Sequence, residues 1–268
     1  MSECPSVSIL IICYNAQNYI EECLNSVLNQ DFLDYELVIC DDHSQDKTMV
    51  IINKLLNKTA VNFRIYQQEK NVGSFLNMKT GLSLCKGTYI AYLEGDDYWI
   101  NNNKLTMQMK ALSLKNEISA VVSQSYRLRN TKYEKYREVS KNIFFEKDLY
   151  GYTPFHSSTL VFRKDYVPKL PNYFKNCFSN DKFLYIVLSS QKPIYFLDEI
   201  TSVYRMHAQN ISSQTPRWKR EWGQALFLLK MNRMQAYRNV GIIGRVIFKN
   251  HALSPSLHFL KKYIYRAK

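Results

Sequence analysis

The chain has 268 residues, 46% of them hydrophobic and 22% charged, which suits one or two globular units with a real core and excludes a disordered polypeptide. Thirty-six Lys and Arg against 23 Asp and Glu give a net charge of +13, unevenly spread: from Thr215 onward twelve bases face one acid, Glu221, so residues 1–214 are nearly balanced. Six cysteines (Cys4, Cys13, Cys23, Cys40, Cys85, Cys177) show no CxxC or Cys/His pairing, so packed thiols in a reducing cytosol are expected, and no stretch reaches the ~18 apolar residues of a membrane span.

The first 125 residues alternate between two periods. "SVSILIIC" is a continuous apolar strand that lacks the basic flank of a signal peptide. In "AQNYIEECLNSVLNQ" the positions Ile20, Cys23, Leu24, Val27 and Leu28 trace one face of a helix with Glu21 and Glu22 in its first turn. "YELVIC" and a helix from about Lys47 to Leu56 repeat the unit. "NFRIY" and a helix carrying Phe75, Met78, Leu82 and Cys85 form a third, and "TYIAYL" with a helix holding Leu105, Met109 and Leu112 a fourth, before "AVVSQ". Residues 127–149 are polar and weakly periodic, a long excursion. "PFHSSTLVFRKDYV" and "KPIYFLDEITSVYRMH" then return to strand character around a helix-like "DKFLYIVLSS". This alternation predicts an α/β fold with a doubly wound, mainly parallel sheet, its ligands beyond the carboxyl ends of the strands.

At those ends the chemistry is acidic. "YIAYLEGDDYWI" stops a buried strand on Glu94, Asp96 and Asp97, where repulsion and desolvation both cost stability. A hard divalent cation, Mn²⁺ or Mg²⁺, makes such a cluster tolerable and takes substrate phosphates to complete its shell. A lone Asp-Asp that merely begins a turn is the plainer alternative, but "CDDHSQD" repeats the arrangement after the second strand. No glycine-rich phosphate loop is present, so a diphosphate must be met by metal and side chains.

The segments "SILIICYNAQNYIEECLNSVLNQ", "ELVICDDHSQDKT", "NVGSFLNMKTGL", "KGTYIAYLEGDDYWINNNKL" and "NDKFLYIVLSSQKPIYFLDEITSVYRMHAQNIS" together resemble a family 2 glycosyltransferase with the GT-A fold, of the bacterial surface-polysaccharide type. The resemblance runs over about residues 6–213 and implies a nucleotide-sugar binding half (1–125) and an acceptor half (126–214). It further implies that Tyr14 borders the nucleotide base, Asp42 accepts from the base edge, Asp96 contacts the ribose side of the donor and Asp97 is the metal ligand. Asp181, where the family more often carries Glu-Asp and this chain has Asn180-Asp181, matches the general base of an inverting transfer; a plain helix N-terminal charge is the alternative. His207 matches a histidine beside the diphosphate or metal, and Arg205 could steady the leaving diphosphate. Lys79 stands where many members carry Arg-Asn and serves the diphosphate or solvent. Trp99 floors the sugar site or packs in the core, and His156, Ser157 and Ser158 match a segment near the acceptor. The usual "DDGS" is "DDHS", with His43 in the glycine position and no chemistry assigned to it.

Residues 215–268 mix aromatic and aliphatic side chains with unbalanced cations, the pattern of a basic amphipathic segment on an anionic membrane or of a helical subdomain with a solvated face. A peripheral enzyme at the inner face of the plasma membrane is therefore expected, with a UDP-sugar donor (dTDP next) and a glycan or lipid-linked acceptor. The other function classes are a catalytically silent glycan-binding protein on the same fold and a nucleic-acid binder; the acidic strand ends and the lack of any recognition motif argue against nucleic acid.

Overall fold

The computed structural model describes residues 5–149, 153–168, 170, 180–208, 210 and 216. In chain order the elements are β1 (Val7–Cys13), α1 (Ile20–Leu28), β2 (Tyr35–Asp41), α2 (Thr48–Leu56), β3 (Phe63–Gln67), α3 (Ser74–Leu84), β4 (Tyr89–Glu94), β5 (Tyr98–Trp99) and α4 (Lys104–Leu114). They continue with β6 (Ala120–Arg129), β7 (Lys132–Lys135), β8 (Ile143–Phe144), α5 (Glu146–Leu149), β9 (Val161–Arg163), α6 (Asn180–Gln191) and β10 (Ile194–Met206).

The strands form one sheet in the order β3-β2-β1-β4-β9-β6-β10-β5, with β7 beside β6 and β8 beside β10. The β3-β2-β1-β4 half is parallel throughout, as the β-α alternation predicts. β9 then enters antiparallel to both β4 and β6, and β10 runs parallel to β6 with register shifts between Leu197 and Ser202. Because β1 is buried on both faces, its alternate residues feed two separate cores. Ile9 and Ile11 pack with Ile20, Leu24, Leu37, Ile52 and Leu105, whereas Leu10 and Ile12 pack with Phe75, Met78, Tyr92, Phe162 and Phe183. A doubly wound sheet with helices on both faces results.

The polar excursion contains structure that the sequence reading does not foresee. β6 continues to Arg129, turns at Asn130 with φ 55° and returns as β7, pairing Tyr126 with Lys135 and Arg129 with Lys132. All of β7 is exposed, so it carries no apolar alternation to announce a strand. The basic segment from residue 217 onward lies outside the described residues. Among those described, no helix is long and apolar enough to cross a membrane.

Candidate active site

The carboxyl ends of β1, β2 and β4 and the far end of β10 come together at one edge of the sheet. After β1 come Tyr14, 48% exposed, and Asn15, held at φ 48°. Asn15 Oδ1 accepts from the Gln45 amide (2.8 Å) and its own N–H donates to Ser44 Oγ (2.8 Å), so the β1 and β2 loops are tied together next to Tyr14 in the chain. Asp42, only 3% exposed, accepts the Val72 and Gly73 amides on its two oxygens (2.7 and 2.9 Å). That bonding fixes the turn into α3, and the carboxylate keeps lone pairs for a further donor. Lys79 is half-buried on α3.

The acidic turn follows β4. Gly95 donates to the Ile12 carbonyl (2.8 Å), and a Cβ there would come within 2.7 Å of Cys13 Cβ, so only glycine lets the turn lie against β1. Beyond it the carboxylates separate. Asp96 meets His207, its Oδ2 lying 3.1 Å from Nε2 and accepting from Asn210 Nδ2 at 3.1 Å. Asp97 is buried: its Oδ1 accepts the Arg205 amide (3.0 Å) and its Oδ2 lies 3.4 Å from His156 Nδ1. The sequence reading pairs Asp97 with His207 and puts Asp96 on the ribose side; in the structure the histidine's partner is Asp96, because successive residues of a turn send their side chains to different sides.

Burial, then the charges of Asp96 and Asp181, push the Glu94 carboxyl up to about 8, although Ser157 Oγ binds it (2.9 Å to each oxygen). Asp97 is raised well above the carboxylate range by burial first and by Asp96 and Glu94 next. Burial holds the His156 imidazole down at about 4, so it stays neutral, stacked 4.2 Å from Tyr204. These shifts come first from burial and mark a cluster of perturbed titratable groups, a candidate functional site. Two arrangements fit a cation. Glu94, Asp97 and His156 place one ligand atom each within 4.8 Å of one another. Asp96 Oδ2 and His207 Nε2 stand at the distance, about 3 Å, of adjacent ligands around an octahedral ion with bonds of about 2.1 Å.

Asp181 opens α6, and its charge reaches Glu94, His156, Tyr136 and Tyr185. The base candidate therefore lies within electrostatic reach of the acidic turn, on a separate element. The Arg205 guanidinium donates to the Asp96 carbonyl (2.7 Å), pairs with Glu22 and lies near the rings of Tyr98 (4.2 Å) and Tyr19 (5.4 Å). Trp99 resolves to core. It is 3% exposed, its Nε1 donates to the Ser158 carbonyl (2.9 Å), and Lys104 Nζ sits 4.2 Å from its ring. Lys104, which burial pulls well below the lysine range, donates to Gln108, and Gln108 donates to the Thr159 carbonyl (2.7 Å). Lys104, through Gln108, thus props the 157–159 turn that holds Glu94. Sequence reasoning missed Glu22 and Tyr19: Glu22 lies on the exposed side of α1 and Tyr19 is its N-cap, positions that carry no pattern along the chain.

The sequence profile described as Glycosyl transferase family 2 matches residues 8–168. An uncharacterized glycosyltransferase of Haemophilus influenzae is 24% identical over 260 residues, covering 92% of this chain and 79% of that protein. The Escherichia coli UDP-Glc:alpha-D-GlcNAc-diphosphoundecaprenol beta-1,3-glucosyltransferase WfgD is 38% identical over 113 residues, 42% of this chain and 43% of WfgD, so the similarity covers less than half of that enzyme. Among solved structures, S. aureus TarS 1-349 in complex with UDP-GlcNAc superposes with a TM-score of 0.71 over 94% of this chain and 74% of that one, at 18% identity.

Proposed function

The chain belongs to glycosyl transferase family 2 and has its GT-A fold, and on that premise we propose that it moves a sugar, with inversion, from a UDP-sugar to a hydroxyl of a glycan or lipid-linked oligosaccharide in bacterial surface-polysaccharide synthesis. The observation that carries this reading is the meeting of Asp96 and His207, 3.1 Å apart, with Asp181 in the first turn of a separate helix and its charge acting on Glu94 and His156. WfgD, by its name, uses UDP-glucose and a diphosphoundecaprenol-linked acceptor, and TarS binds UDP-GlcNAc, which supports the donor class.

In this reading the exposed Tyr14 ring borders the base, Asp42 holds the loop against it and accepts from its edge, and Lys79 lies toward the diphosphate. Asp96 and His207 would hold Mn²⁺ or Mg²⁺, which when bound supplies positive charge to the leaving diphosphate. Asp97, buried beside them, accepts the Arg205 amide and stands with Glu94 and His156 as the second candidate ion set. Asp181 takes the proton of the acceptor hydroxyl as that oxygen attacks the anomeric carbon. The basic segment 215–268 places the enzyme on an anionic membrane surface, where a lipid-linked acceptor is found.

A panel of nucleotide sugars incubated with Mn²⁺, with nucleotide release as readout, tests the reading. One UDP-sugar should turn over; Asp181→Asn should lower transfer by about 10²–10⁴-fold while the donor still binds, and Asp96→Ala should abolish the metal response. Wild-type transfer by both variants would overturn the assignment.

A further inference from the structure

We propose that Glu22, with Tyr19, is a positioning residue for the acidic site, acting through Arg205; this rests on the reading of Asp96 and His207 as ion ligands. Four residues of α1 and its N-cap, spaced i, i+3, i+4 and i+7, all touch the site loops. Tyr19 stacks on the His207 ring (centroids 4.4 Å apart, planes at 27°). Glu22 pairs with the Arg205 guanidinium, Cys23 Sγ lies 3.7 Å from the Glu94 carbonyl, and Ser26 Oγ accepts the Trp99 amide (3.0 Å). A stripe at this spacing ordinarily serves only to bury apolar surface; here it grips both the turn that follows β4 and the end of β10.

Glu22 is the informative member because it is unnecessary to the core. Its side chain is 60% exposed whereas that of Arg205 is 10% exposed, and an ion pair with so exposed a partner contributes little to stability. Its effect is orientation. Arg205 holds Asp96 by the carbonyl and Asp97 by the amide, two residues before His207, so anchoring the guanidinium fixes the acidic turn and the histidine in one frame. Without the Glu22 carboxylate the guanidinium keeps two aromatic neighbours and a carbonyl but loses its ion-pair partner, and with it one of the contacts that set its orientation. Outer residues that orient ligands in this way commonly change metal affinity by 10–100-fold.

The full-length protein carrying Glu22→Ala, and separately Glu22→Gln, tests this by Mn²⁺ binding followed through the electron-paramagnetic signal of the free ion. Thermal unfolding and the imidazole ¹⁵N spectrum of His207 at fixed pH complete the set. The expected result is Mn²⁺ affinity at least tenfold weaker for Glu22→Ala, an intermediate loss for Glu22→Gln, a melting point within about 4 °C of wild type, and a changed His207 spectrum. Unchanged affinity and an unchanged His207 spectrum overturn the proposal. A large drop in melting point in both variants overturns it too, in favour of a purely structural ion pair. Should wild type itself bind no Mn²⁺, the ion reading fails, and the His207 spectrum alone decides whether Glu22 positions that ring.

Discussion

Two residues hold left-handed backbone at the edge of the sheet that carries the site. Asn15 at φ 48° and His43 at φ 65° both occupy a region that favours glycine, and both spend side-chain bonds to stay there: Asn15 Oδ1 on the Gln45 amide, His43 Nδ1 on the Gln68 carbonyl (3.0 Å). This explains why glycine is usual where His43 stands, a departure that the sequence displays without its reason. Asn15→Ala should destabilise the protein by about 1–3 kcal/mol, since it loses the accepted bond as well as a tolerated conformation; urea unfolding measures this, and the donor KM should rise because the Tyr14 loop loosens. His43→Gly should stay within about 1 kcal/mol of wild type, relief of backbone strain offsetting the lost contact.

Among elements, β2 carries site chemistry at one end and an anchor at the other. Glu36, 1% exposed, accepts from Ser8 Oγ and the Lys86 amide (2.6 Å each) and pairs with Arg64. Burial would raise its carboxyl, but these donors outweigh it and hold Glu36 below 4.5. A carboxyl lowered by folding contributes stability above its unfolded value, near 4.5, and loses it as pH falls through the lower folded value. Glu36→Gln should therefore cost about 1–3 kcal/mol at pH 7 with donor KM unchanged, and the gap to wild type should shrink on acidification from pH 5 to 3 in denaturant titrations. The α/β elements were legible because their apolar periods are strong; β7 and the register shifts of β10 were not, since an exposed hairpin and a bulge depend on partners remote in sequence.

At the scale of the whole molecule, the charge is divided between a nearly balanced first 214 residues and a basic segment of +11 (twelve bases less one acid). If that segment meets anionic lipid, the full-length chain should float with vesicles containing phosphatidylglycerol and not with neutral ones, and about 0.5 M salt should release it, because each cation near the surface adds about 1 kcal/mol that screening removes. Flotation indifferent to lipid charge would remove the membrane assignment. The antiparallel β9 is a second global feature: it separates β4 from β6 in the sheet and leads out of the 157–159 turn whose Ser157 binds Glu94.

The sequence by itself determined the layered α/β architecture, the parallel half-sheet and the strand ends at which function gathers, because hydrophobic period and loop chemistry are local properties. It also supplied the roll of acidic and histidine candidates. Only the tertiary structure decided which carboxylate meets which histidine, that Trp99 is core, and that Arg205 meets Glu22 and the Asp96 carbonyl. Those pairings join residues as much as 183 positions apart, as Glu22 and Arg205 are, and they depend on side-chain direction within a turn, which no pattern along the chain encodes.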